Sequence, residues 1–288
     1  MWRPGECEPQ YPPFPDVYTE DFESGWTNGP SGFSGGAFPG RWAFRNSGLG
    51  SWQVQDLGSP YSRALAFTNG SFNSSWWPTG GQYPFRIRPG KPVVVELSAR
   101  MRLKCYTTSG SIWKGWLYLM DRDLNGYGVR LLRSLSSSTH AADNKTYAQV
   151  IKYRGSTAAL GSASTASWTD SEGTLVTGEA AVGEAADEGF IHVHLRFEQT
   201  ADGQPITVKL WHTESSVPDS SKASPDLMWV EDGSTYGSIL NVRGLQWVGV
   251  NAEESSGSAQ QGGPGAGVWL DDLRLELIRE KGTVVAIE

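Results

Sequence analysis

Phe190–Glu198, FIHVHLRFE, sets Ile191, Val193, Leu195 and Phe197 on one side of the chain against Phe190, His192, His194, Arg196 and Glu198 on the other. Alternation at period two is the mark of a strand with one buried face. Its mate follows at once. In ITVKLWH, Ile206, Val208, Leu210 and His212 oppose Thr207, Lys209 and Trp211, and the intervening TADGQP holds the Asp-Gly and Pro of a reversal. Two histidines, an arginine and a glutamate then share one strand face. Such a set is either a reactive groove or the wetted outer face that antiparallel sheets normally carry.

The same alternation recurs outward from this hairpin. Its longest run is Pro92–Lys104, where Val93, Val95, Leu97, Ala99, Met101 and Leu103 face away from Glu96, Arg100, Arg102 and Lys104. Strands are also expected at 18–22, 63–68, 85–88, 112–120, 128–133, 146–154, 227–231, 245–251 and 268–278, with no helix. The 35 glycines and 16 prolines of the 288 residues suit short strands joined by turns. The expected fold is therefore all-β, a two-sheet antiparallel β-sandwich of jelly-roll type. Residues 1–20 read as an extended N-terminal arm and 21–288 as one β-sandwich domain. Residues 155–189, rich in Ala, Ser, Gly and Glu, read as a long loop excursion with at most a short strand.

A formal charge of −7 argues against a nucleic-acid or anionic-lipid partner, which would call for a basic stripe. No run of eighteen apolar residues exists to span a membrane. MWRPGECEPQYPPFPD has no basic segment followed by an apolar one, so it is not a signal peptide. An extracellular place, or one on a particle, virion or cell surface, is expected. Cys7 and Cys105 are either one bridge or two free thiols.

DRDLNGYG at 121–128 places Asp121, Asp123 and Asn125 like the opening of a calcium loop, but Leu132 stands where a bidentate Glu is needed. A hairpin turn is the expectation. DFESGW near the N-terminus and WLDDLRLEL near the C-terminus, with NGYGVRL between them, resemble carbohydrate-binding jelly-roll modules and the wider concanavalin A-like group. That resemblance implies a structural calcium shared by Glu23 with Asp271 or Asp272.

Trp76 and Trp77, with Phe72 and Tyr83, lie in a polar, glycine-rich stretch. Such rings either stack on the apolar faces of sugars or cap the end of the sandwich. No H-E-x-x-H, G-x-S-x-G or phosphate loop occurs. Were the chain a polysaccharide lyase or glycoside hydrolase, His194, Arg196, Tyr127 and Arg130 would be its catalytic set. The favoured reading is a non-catalytic glycan binder. The alternative is a structural assembly protein that meets protein neighbours through Trp2, Tyr11 and Phe14 of the arm.

Overall fold

The computed structural model describes residues 15–23, 26–29, 32–35, 51–58, 62–68, 79–83, 85, 87, 89–105, 112–121, 123, 125–134, 145–154, 167–170, 174–179, 186–187, 189–213, 224–233, 239–255 and 267–279. The chain opens with β1 (Val17–Glu20), β2 (Trp26–Gly29), β3 (Gly32–Gly35), β4 (Ser51–Asp56), β5 (Arg63–Thr68) and β6 (Thr79–Gln82). Then come β7 (Val93–Cys105), β8 (Ile112–Met120), β9 (Asn125–Ser134), β10 (Lys145–Arg154), β11 (Ser167–Asp170), β12 (Thr174–Glu179) and β13 (Ala186–Asp187). The last are β14 (Ile191–Gln199), β15 (Ile206–Thr213), β16 (Leu227–Glu231), β17 (Trp247–Ser255) and β18 (Gly267–Ile278).

They form a two-sheet antiparallel sandwich of jelly-roll type. The nine-stranded sheet runs β16-β15-β14-β7-β18-β5-β4, with β1 also on β18 and β13 also on β7. The seven-stranded sheet runs β11-β10-β9-β8-β17-β6, with β12 also on β10. Among the described residues β2 and β3 pair only with each other. β7 is long because its alternation never breaks, so one face can be apolar throughout. Its Val93, Val95, Leu97, Ala99, Met101 and Leu103 join Ile191, Val193, Leu195 and Phe197 of β14 in one core. Leu117 and Leu119 of β8, Val129 and Leu131 of β9, and Val248 and Val250 of β17 close that core from the other sheet.

β18 contains a phase break. Val268 and Leu270 point inward, then Leu273, Leu275 and Leu277 do, so the apolar spacing jumps across Asp271-Asp272. A β-bulge absorbs the extra residue, with Asp272 in the left-handed region at φ 48°. The bulge sits where the neighbour of β18 changes from β5, opposite 267–270, to β1, opposite 273–276.

Three expectations need correction. Residues 155–189 are not a loop with at most one short strand, since β11 and β12 pair with β10 and β13 pairs with β7. Backbone hydrogen bonding carries these strands, which at 4, 6 and 2 residues are too short to show a clear apolar alternation. Residues 51–56, which are not among the strands expected from the sequence, form β4 against β5. Phe85 and Ile87, expected in a strand, lie outside any strand. Phe85 is instead a core anchor, its ring 5.5 Å from that of Tyr18.

Candidate functional site

The outward face of the nine-stranded sheet gathers most of the chemistry of the chain. Cross-strand register aligns it in rows. One row runs Asp271, Arg100, His192, and the next runs Arg274, Ser98, His194, Trp211. A third runs Glu276, Glu96, Arg196, Lys209, Met228, and a fourth Ile278, Val94, Glu198, Thr207, Val230. β14 therefore places its two histidines between the long strand β7 and the aromatic edge of β15.

Charges on this face are met locally. Arg196 donates to Glu96 at 2.9 Å and Glu198 at 2.6 Å, and Lys209 donates to Glu198 at 2.8 Å. Burial alone would raise the Glu198 carboxyl, but the bonds from Lys209 and Arg196 outweigh it and hold the pKa below the usual value. Arg274 sits on Glu276 at 2.6 Å. The imidazoles are different. His194 is only 7 % exposed, and neither of its ring nitrogens has a hydrogen bond among the described residues. Its Nε2 lies 3.2 Å from Glu96 Oε2, near enough for attraction but not aligned for a bond. The ring meets Trp211 edge-on at 5.7 Å. His192 Nδ1 is likewise buried without a described partner. Burial, then Arg100, push the His192 pKa down, with Asp272 opposing, so the ring is neutral near pH 7.

Arg100 clamps the bulge. Its guanidinium bonds Asp271 Oδ2 and reaches Asp272 Oδ2 at 2.8 Å, and it stacks 5.1 Å from the Phe190 ring centre. Glu23 is engaged elsewhere: Oε1 accepts the Arg63 N–H at 3.1 Å, and its backbone carbonyl accepts from Arg63 Nη1 at 2.9 Å. Of the acids that the resemblance assigns to calcium, Asp271 and Asp272 thus already face a guanidinium group, and the Glu23 carboxylate accepts a backbone N–H. Among the described residues no cluster of three or more His, Cys, Asp or Glu is disposed to hold a metal ion. As arranged, the donor set does not suit calcium.

Burial pushes Asp271 up to about 6; the Asp272 N–H and Arg100 pull it down, while the Asp272 carboxylate pushes it further up. An unfolded Asp titrates near about 3.9, so the folded chain binds the extra proton between these values and loses stability as pH rises through them. Replacing Asp271 with Asn should therefore help more above about pH 6 than near pH 4. The gain should be at most about 3 kcal/mol, because a pKa unit is worth about 1.4. Urea midpoints of both proteins at the two pH values measure it, and a pH-independent difference would contradict it.

The four candidates for catalysis do not meet. His194 and Arg196 share the outward face just described. Tyr127 is fully buried in the core, its ring 6.4 Å from Phe197 and 5.7 Å from Trp229. Arg130 lies on the seven-stranded sheet and donates to Gln149 at 2.8 Å. Alternation explains the separation: Tyr127 and Val129 point inward, so Arg130 must point out.

Tyr83 is not part of an exposed platform. It is 1 % exposed and packs edge-on against Tyr18 at 5.3 Å. Trp76, Trp77 and Phe72 lie outside the described residues, as do Trp2, Tyr11 and Phe14 of the arm and Cys7. Asp121 closes the β8–β9 hairpin, its Oδ1 accepting the N–H groups of Asp123 at 2.8 Å and Asn125 at 2.9 Å, as the turn reading expects.

Sequence reasoning passed over Ser98, Trp211 and Lys152. The first two are placed on the His194 row only by strand register. Lys152 follows Val150 at the inward phase of β10, a signal that was present in the spacing.

No protein-family model matches the chain, and no curated protein matches it. Among solved structures it resembles the CBM2 module of Lactobacillus casei BL23 phage J-1 evolved Dit, with TM-score 0.33 and 10 % identity over 93 % of this chain and 92 % of that one. It also resembles a legume lectin-like domain from Entamoeba histolytica, with TM-score 0.29 and 9 % identity over 80 % of this chain and 90 % of that one. The likeness is weak and is one of fold.

Proposed function

We propose that this chain is a non-catalytic glycan-binding protein and that its outward nine-stranded face takes a neutral, hydroxyl-rich ligand. The observation that supports this is the state of His192 and His194. Both sit among groups whose charges are already paired, while His192 Nδ1 and both ring nitrogens of His194 are buried without a hydrogen bond among the described residues. Polar groups in such positions ordinarily have partners. A sugar hydroxyl both donates and accepts, so it can serve an imidazole and the neighbouring Glu96 at once.

The internal pairing also speaks against a polyanion. The Arg100 guanidinium is spent on Asp271 and Asp272. Met228, 59 % exposed, and Val230, 49 % exposed, form an apolar margin at β16 against which sugar faces can lie. Trp76 and Trp77 remain a second platform in this reading.

Affinity electrophoresis against neutral and acidic polysaccharides tests it. His194→Phe keeps a ring against Trp211 and removes both nitrogens. It should lower affinity about tenfold or more, the worth of roughly one hydrogen bond in a desolvated site. A W76A/W77A variant reports on the aromatic platform in the same gels. Unchanged retention by His194→Phe, with an unchanged melting curve, would move the site off this face.

A further inference from the structure

Between the two sheets, at the β16 edge, lies a pair that the glycan reading does not use. Lys152 Nζ, from the inward face of β10, is 2.8 Å from Glu231 Oε2 at the end of β16, and both side chains are fully buried. The Tyr127 ring centre is 5.9 Å from Nζ, and Trp229 packs on Tyr127. The other carboxyl oxygen, Oε1, accepts the Gly233 N–H at 2.7 Å.

We propose that Lys152 and Glu231 join in an amide bond that crosslinks the two sheets. An apolar interior disfavours separated charges, so passing one proton from the ammonium to the carboxylate leaves an uncharged amine beside an uncharged acid. Nζ then attacks Cδ. The Nζ–Cδ bond forms and the Cδ–Oε2 bond breaks. Oε2 departs as water with two of the three ammonium hydrogens, and the third stays on the amide nitrogen. No oxidant, reductant or co-reactant is needed.

Two features of the site favour the step. The partners are held at contact distance, which replaces a bimolecular encounter by an intramolecular one. The Gly233 N–H stands where charge develops on Oε1 in the tetrahedral intermediate, at the distance an oxyanion donor requires. The product would tie β16, whose sole strand partner among the described residues is β15, to the opposite sheet. An edge strand gains most from such a tie, since it is held from one side only.

Intact-mass measurement of the denatured full chain decides it. The wild type should be one water lighter than its sequence, while Lys152→Arg should keep its full sequence mass whether or not it folds. Trypsin should leave Lys152 uncut and release residues 146–154 joined to residues 223–243. A wild type at full sequence mass, with cleavage after Lys152, overturns the proposal. So does a lost water that peptide mapping places elsewhere, for example at Asp202-Gly203.

Discussion

Lys152→Met should destabilise the fold by about 3–5 kcal/mol, the usual cost of removing one member of a buried charged pair. Met is an unbranched chain like Lys, so the main change is the loss of the charged Nζ. Glu231 is left fully buried with the Gly233 N–H on one oxygen and nothing in place of Nζ on the other. A second change, Glu231→Leu, should recover most of the loss if the wild-type pair is purely ionic, because apolar replacements of a whole buried pair are often neutral. If the amide forms, the double variant stays well below wild type, since the crosslink is also gone. Urea unfolding of the single and double variants gives both numbers. A single-variant cost under about 1 kcal/mol would mean that this site tolerates an unpaired carboxyl, against the buried geometry.

Gly128→Ala should be comparably severe, at about 3 kcal/mol or more, the upper range for forcing atoms into a packed site. A Cβ there would stand 2.1 Å from Leu117 O and 2.9 Å from Tyr118 Cδ1. The first of these is backbone in the paired strand β8, so it cannot swing aside. Gly126 is confined in the same way, 2.0 Å from Leu119 O. Gly244→Ala is the control: nothing lies within 4 Å of its Cβ position, and its effect should stay within about 0.5 kcal/mol. Thermal and urea midpoints of the two variants measure this, and a Gly128→Ala protein as stable as the control would contradict the close approach of β8 and β9.

How far the fold was legible follows from where side chains carry the signal. FIHVHLRFE and the long run of β7 show their buried faces in plain alternation, and the structure buries Ile191, Val193, Leu195 and Phe197 as that pattern requires. His212, spaced with the apolar file of β15, pairs opposite Val193 rather than joining the outward histidines. β11, β12 and β13 escaped notice because backbone pairing, not apolar spacing, makes them strands.

The candidate site was legible only as residue types. His194 and Arg196 stood out by their shared face, but Ser98, Glu96 and Trp211 join them through register, which a single strand does not reveal. Tyr127 and Arg130 are three apart in a strand, so alternation alone sets them on opposite faces. The Asp271-Asp272 pair could be read as a metal motif because its sequence hides Arg100, which lies on another strand and reaches both carboxylates.

Binding without turnover is the central functional claim, and one experiment addresses it directly. The full chain is incubated with each member of a polysaccharide panel, and retention and polymer length are read from the same sample. Retention on at least one neutral polysaccharide, with its length unchanged and no unsaturated ends released, is the expected result. A shortened polymer, or no retention on any neutral member, would contradict it.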